Sequence, residues 1–155
     1  MFNPENLKQY TTSSQGSTRV IVVPAKEYTG IIGDDLNFRQ SPGTKDPSKI
    51  YTFMDVSIII DSAEAREVTK REKPSVRFSC GVDLTPDGLG FDMSEGKNVH
   101  LNRLRDAVGQ NIAGQGWAPS MLVGKPLKVK VSHRPNPNST DPLDVYAEVA
   151  AVSKL

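Results

Sequence analysis

One cysteine, one tryptophan and two histidines in 155 residues leave little material for several kinds of chemistry. Cys80 alone cannot close an internal disulfide, and without a second thiol it cannot build a thiolate zinc site, so a reducing compartment is compatible. Neither His100 nor His133 sits in a nucleophile motif. Ser132 adjoins His133, but neighbours on a strand point to opposite faces, and nucleophilic catalysis has no support. Gly81, Gly88, Gly90 and Gly96 are spaced as turns rather than as a phosphate-cradling loop. No run approaches the roughly 18 apolar residues that cross a bilayer. The N-terminal stretch lacks the basic-then-apolar order of a signal peptide, and the expectation is a cytoplasmic protein without a membrane partner. Net charge is also scarce, at +1, which argues against coating by bulk attraction to polyanions.

What the chain does have is local charge and strand periodicity. Arg66, Lys70, Arg71, Lys73 and Arg77 face only Glu67 and Glu72 in their stretch, and Lys125, Lys128, Lys130 and Arg134 share theirs with no acid. Hydrophobic residues make up 37% of the chain, enough for one core, and the length suits one domain. Residues 1–18 are polar without an apolar period and read as a flexible arm, leaving 19–155 as the binding domain.

From Thr18 to Phe38 the composition favours a first long strand or strand pair, with Gly30 and Gly33 placed to bend it. A loop is expected over 40–48, then a long strand over 49–61 with Ile50, Thr52, Met54, Val56, Ile58 and Ile60 on one face. Residues 62–74 read as a mobile basic connector stopped by Pro74. A third strand alternates Val76, Phe78, Cys80, Val82 and Leu84 against Arg77, Ser79 and Gly81. Leu101, Leu104, Val108 and Ile112 share one face of a helix within 96–112. Trp117 reads as an anchor for the connector that follows, and strands over 126–134 and 143–152 form a closing hairpin. The expected fold is mainly β. Five strands with one helix between the third and fourth is the plan of the OB-like Greek-key barrel, although the order also suits other α+β folds.

Single-stranded nucleic acid is held by rings that stack bases and cations that follow phosphates. The strand parities place Tyr51, Phe53 and Tyr146 opposite the aliphatic sets, together with Arg77, Lys128 and Lys130. Phe38 and Arg39 end the first strand, Arg134 ends the fourth, and Lys70, Arg71 and Lys73 on the connector are candidates for a flap over the backbone. These twelve residues are the candidate DNA-binding set. No cofactor is called for.

GKNVHLNRLRDAVGQ at 96–110, LVGKPLKVKVSHR at 122–134 and DVYAEVAAV at 144–152, with PAKEYTGII at 24–32 upstream, resemble the OB-fold single-stranded-DNA-binding proteins of bacteriophages. The likeness is a diffuse pattern over about residues 22–153 rather than an invariant motif. It implies sequence-independent binding and protection of single strands in phage replication and recombination, inside the bacterial host. It further implies partners among the replication or recombination proteins, and a homodimer is open. The chain departs from many replication single-strand binders in ending Ala-Val-Ser-Lys-Leu rather than in an acidic tail, which puts tail-mediated recruitment in doubt.

Two other classes compete. Asp87, Glu95 and Lys97 outline a PD-ExK nuclease, in which carboxylates hold Mg²⁺ and a lysine steadies the attacking water. Against it, residues 85–88 are a good turn sequence in their own right. A virion or assembly protein using the barrel only as a scaffold would have no affinity for nucleic acid.

Overall fold

The computed structural model describes residues 2–12, 16–17 and 19–155. It is mainly β: six antiparallel strands in one open sheet, with three α-helices. The strands are β1 (Glu27–Ile32), β2 (Asn37–Pro42), β3 (Ile50–Asp61), β4 (Ser75–Val82), β5 (Pro126–Pro135) and β6 (Val145–Ser153). The helices are α1 (Pro4–Gln9), α2 (Ala63–Thr69) and α3 (Val99–Ala107), with a 3-10 turn at Pro119–Leu122.

Of the two expected openings, one long strand or a strand pair, the pair is observed. β1 pairs with one end of β3, Ile32 opposite Ile58, and β2 pairs with the same edge further along, Asn37 opposite Asp55. Four residues intervene on one side and two on the other, so the extra backbone must buckle. Ser57 on β3 fixes the buckle: its carbonyl accepts from Gly33 N at 2.8 Å, while its amide and hydroxyl donate to the Asp35 carboxylate at 2.9 and 2.6 Å. A Cβ on Gly33 would lie 3.0 Å from that carbonyl oxygen, which is why the position takes glycine. Residues upstream of Glu27 are not strand as expected; Val23 is buried, and its carbonyl meets His133 Nε2 at 2.8 Å. Thr18 lies outside the described residues, as do positions 1 and 13–15 of the arm. Within the arm, Asn3 caps α1 and none of the helix is buried.

Strand β3 organises the sheet because it is long enough to pair three times: with β2 at its start, β1 at its end and β4 along its other edge. β1 continues to β5, and β5 to β6. Met54, Val56, Ile58 and Ile60 point inward as their alternation demands, against Leu127, Val129, Val131, Leu101 and Leu104, but Ile50, expected on the same face, is exposed at the start of the strand. The sheet is not closed. β4 packs close to β6 without strand pairing, and α3 lies against both.

Two other expectations are corrected. The connector over 62–74 contains a two-turn helix, α2, because Ser62 Oγ caps Ala65 N at 3.2 Å and Ala65 is fully buried. Helix α3 stops at Ala107, so Ile112 is not on its face and is exposed. Gly109, at φ 74°, and the Gln110 amide donating to Arg105 O end the helix there. Trp117 packs against the core, its Nε1 donating to Gln110 Oε1 at 2.9 Å and its ring under the Arg105 guanidinium at 4.4 Å. Among the described residues no helix is long and apolar enough to cross a membrane.

Candidate nucleic-acid interface

The outward face of β2, β3 and β4 carries the densest group of candidate residues. On β3 that parity holds Tyr51, Phe53, Asp55 and Ser57; Arg39 and Gly81 flank Phe53, Ser41 flanks Tyr51, and Asn37 and Ser79 flank Asp55. The Arg39 guanidinium lies 4.5 Å from the Phe53 ring centre, a cation–π contact. On the other flank, Gly81 leaves the ring uncovered: a Cβ there would be 4.0 Å from Phe53 Cε1. The result is an aromatic shelf with a cation on one side and open space on the other.

Asp55 holds the cations in place. Its side chain is nearly buried, yet Arg39 Nε reaches Oδ2 at 2.7 Å, Arg77 reaches the same oxygen at 2.8 Å, and Ser79 Oγ donates to Oδ1. Burial pushes the Asp55 carboxyl up, but the bonds from Ser79, Arg39 and Arg77 outweigh it and leave the group below the usual carboxylate range. The trio keeps one net positive charge, with both guanidiniums partly exposed.

The hairpin loop between β2 and β3 extends the shelf. A cavity of about 590 Å³ is lined by Arg39, Lys45, Lys49, Tyr51 and Phe53, with the loop as one wall. Gly43 makes that wall possible: a Cβ would lie 2.7 Å from Asp46 O and 2.8 Å from Tyr51 Cε2. Asp46 in turn ties the loop through Ser48 N and Oγ, at 3.1 and 2.5 Å.

Arg77 connects this face to a second group. With Arg71, Tyr146 and Val20–Val23 it lines a smaller cavity of about 200 Å³. Tyr146 lies under the Arg134 guanidinium at 5.0 Å, and its hydroxyl donates to Asn136 Oδ1 at 3.0 Å. Lys70 and Lys73 sit exposed on the same turn as Arg71. Lys70 is left-handed, at φ 56°, where the chain leaves α2.

Three of the twelve candidates stand apart. Phe38 is on the opposite parity from Arg39; its ring faces Phe91 at 6.0 Å, which in turn meets Trp117. Lys128 and Lys130 lie beside Thr29 and Glu27, and Thr29 is opposite Asp61. That is eight residues along β3 from Phe53, about 26 Å at strand spacing, and Lys128 is paired with Glu27 at 3.3 Å.

Reading the sequence alone missed Asp55, Lys45 and Lys49. Asp55 had a visible signal, an acid midway along an apolar strand on the parity of two rings. Lys49 had one as well, at the start of the expected strand on the parity of Tyr51 and Phe53, whereas Lys45, between Gly43 and Ser48, is ordinary loop composition.

In the Asp87, Glu95 and Lys97 outline, Asp87 is engaged within its own turn. Asp87 Oδ1 accepts from Thr85 Oγ1 at 2.5 Å and Leu89 N at 3.0 Å, closing its own turn, and those hydrogen bonds hold its carboxyl below the usual range. Among the described residues no group of three or more His, Cys, Asp or Glu side chains is positioned to share a metal ion. No protein-family model matches this chain, and no curated protein matches it.

Proposed function

We propose that this chain is a non-enzymatic, sequence-independent binder of single-stranded DNA, acting through the outward face of β2, β3 and β4. The observation that carries the reading is the Phe53 shelf, bounded by Arg39 and left open at Gly81, with Tyr51 beside it and Arg77 beyond. Exposed rings next to cations are what an unpaired strand needs, because every base has a face to stack and every nucleotide a phosphate. A duplex hides those faces.

On this reading the sheet is an OB-like barrel. β1 and β2 together play its bent first strand, α3 follows β4 and precedes the β5–β6 hairpin, and the β4–β6 seam is its open side. The DNA path runs from the β2–β3 loop across Tyr51 and Phe53 to Arg77, and on toward Arg71 and Tyr146. The role is protection of single strands during phage replication and recombination, with proteins of those pathways as partners and no cofactor. Lys128 and Lys130 lie off this path.

Fluorescence anisotropy of a labelled oligo-dT of about thirty nucleotides, more than the ~4–16 that one OB fold occupies, tests the reading against the matching duplex over a salt series. Tight, salt-sensitive binding to the single strand, weakened in Phe53→Ala, supports it. Absence of binding to either form at low salt sinks it, and cleavage that requires Mg²⁺ on a denaturing gel replaces it with the nuclease.

A further inference from the structure

Arg39 and Arg77 converge on one carboxylate oxygen from distant positions. Arg39 stands on β2 opposite Phe53 and Arg77 on β4 opposite Ser57, so each is displaced by two residues from the level of Asp55, in opposite directions along β3. Their backbones are thus separated by about 13 Å along the strands and about 10 Å across them. Long side chains so placed on an open face spread into solvent, and each must be ordered when it meets an anion. Asp55 removes that freedom. Its Oδ2 accepts from Arg39 Nε at 2.7 Å and from Arg77 Nη2 at 2.8 Å. The two donor nitrogens therefore lie within two hydrogen-bond lengths of each other, about 5.5 Å. The carboxylate is itself fixed: it sits midway along β3 with its side chain only 4% exposed, and its other oxygen accepts from Ser79 Oγ.

A guanidinium carries more N–H donors than these bonds use. Arg39 gives one to Asp55 and one to Ser79 Oγ at 3.4 Å, and Arg77 gives one to Asp55. Both arginine side chains remain partly exposed, so their other donors are open to a ligand. The three charges sum to one positive charge. A phosphodiester brings one negative charge and two free oxygens, which suits two gathered guanidiniums. Two phosphates would leave the group net negative.

Resting on the single-strand reading above, we propose that Arg39 and Arg77 share one phosphate of the bound strand, with Asp55 as the positioning residue that gathers them into a seat beside Phe53. Arg39 also lies 4.5 Å from the Phe53 ring centre, so the seat sets the backbone against the shelf on which the base stacks.

The test is the salt dependence of oligo-dT binding by the full chain, read by anisotropy. Each phosphate neutralised on a single strand contributes about 0.7 to the slope of log affinity against log salt. The triple replacement Arg39→Gln, Arg77→Gln and Asp55→Asn removes all three charges and leaves no buried ion unpaired. A shared seat predicts that its slope falls by about 0.7, whereas separate contacts predict about 1.4. Asp55→Asn alone frees the two guanidiniums to take a phosphate each, and its slope should steepen by about 0.7. A carboxylate that served only the fold would leave the slope of the folded variant unchanged. Melting temperatures confirm that each variant is folded, and if Asp55→Asn is not, the triple replacement still decides. Failure of the wild type to bind oligo-dT at low salt sinks the single-strand reading and the seat with it. Wild-type binding with a slope loss near 1.4 in the triple replacement, or with none, overturns the seat alone, as does an unchanged slope in folded Asp55→Asn.

Discussion

Arg39 Nε and Asp55 Oδ2 meet at 2.7 Å across the β2–β3 pair, although they are not opposite one another in the register: Arg39 is paired with Phe53 and Asp55 with Asn37. The guanidinium thus reaches diagonally over Phe53 to its carboxylate, and the contact that neutralises the acid also sets the cation against the ring. Asp55→Asn releases both guanidiniums and loses charge-assisted bonds, each worth about 1.5–3 kcal/mol when enclosed. Discounting for the half-exposed arginines leaves an expected loss of about 1–2 kcal/mol at neutral pH by urea denaturation. The acid's pKa is lowered on folding, so its contribution is complete above about 3.9 and disappears as pH falls through the folded value. The difference between wild type and Asp55→Asn must therefore narrow at acid pH. A constant difference refutes the assignment.

Phe53→Ala removes the shelf without opening the core, because the ring is on the outward face. An affinity loss of about 1–3 kcal/mol for oligo-dT is expected by anisotropy, with the melting temperature little changed. Gly81→Val tests the same site by the opposite route. Its Cβ makes only an ordinary contact with Phe53 Cε1, so the strand survives while the ring is covered, and affinity falls.

Legibility tracked the range of the physics involved. Alternation alone placed the core residues of β3 and β4, because one buried face fixes every side chain of a strand at once. A break near Gly33 was legible from its turn chemistry, but not what fixes it, since that depends on Ser57, more than twenty residues from Gly33 and Asp35. The site divided the same way. Tyr51, Phe53 and Arg77 follow from parity, but Phe38 was grouped with Arg39 by adjacency, and Lys128 with the rings by a parity that says nothing of distance along the sheet. Lys45 enters only through the packing of Gly43 on Tyr51, although Lys49 shares the parity of the rings.

The salt dependence of binding separates the two lysine pairs. For single strands each neutralised phosphate adds about 0.7 to the slope of log affinity against log salt. Replacing Lys45 and Lys49 with alanine should reduce that slope by about 1.4, whereas the same change at Lys128 and Lys130 should leave it unaltered. An equal effect of both replacements would move the DNA path across β5.

Gly30 sits where β1 passes between β3 and β5, and a Cβ there would lie 2.6 Å from Ile58 Cγ2 and 3.2 Å from Val129 Cγ1. Both neighbours are fully buried, so they cannot swing into solvent. Gly30→Ala should cost about 1–3 kcal/mol by overpacking, visible as a lower melting temperature, with no change in affinity for DNA while folded.

Cys80 reports on the seam from beneath. Burial pushes its thiol up to about 11, with the negative charge of Asp55 adding to the effect. The folded chain therefore keeps the proton at a pH where the unfolded chain, near 8.5, loses it. Stability must fall as pH rises from about 8.5 toward 11, because there the native state binds more protons than the unfolded one. Tyrosines and lysines titrate in the same window, so the measurable quantity is the difference between wild type and Cys80→Ala in urea midpoints across that range. A gap that shifts against the wild type with rising pH supports the buried neutral thiol. The same thiol should react with iodoacetamide at pH 8 far more slowly than after denaturation. Reaction at the rate of a free thiol would mean that the seam is open to solvent.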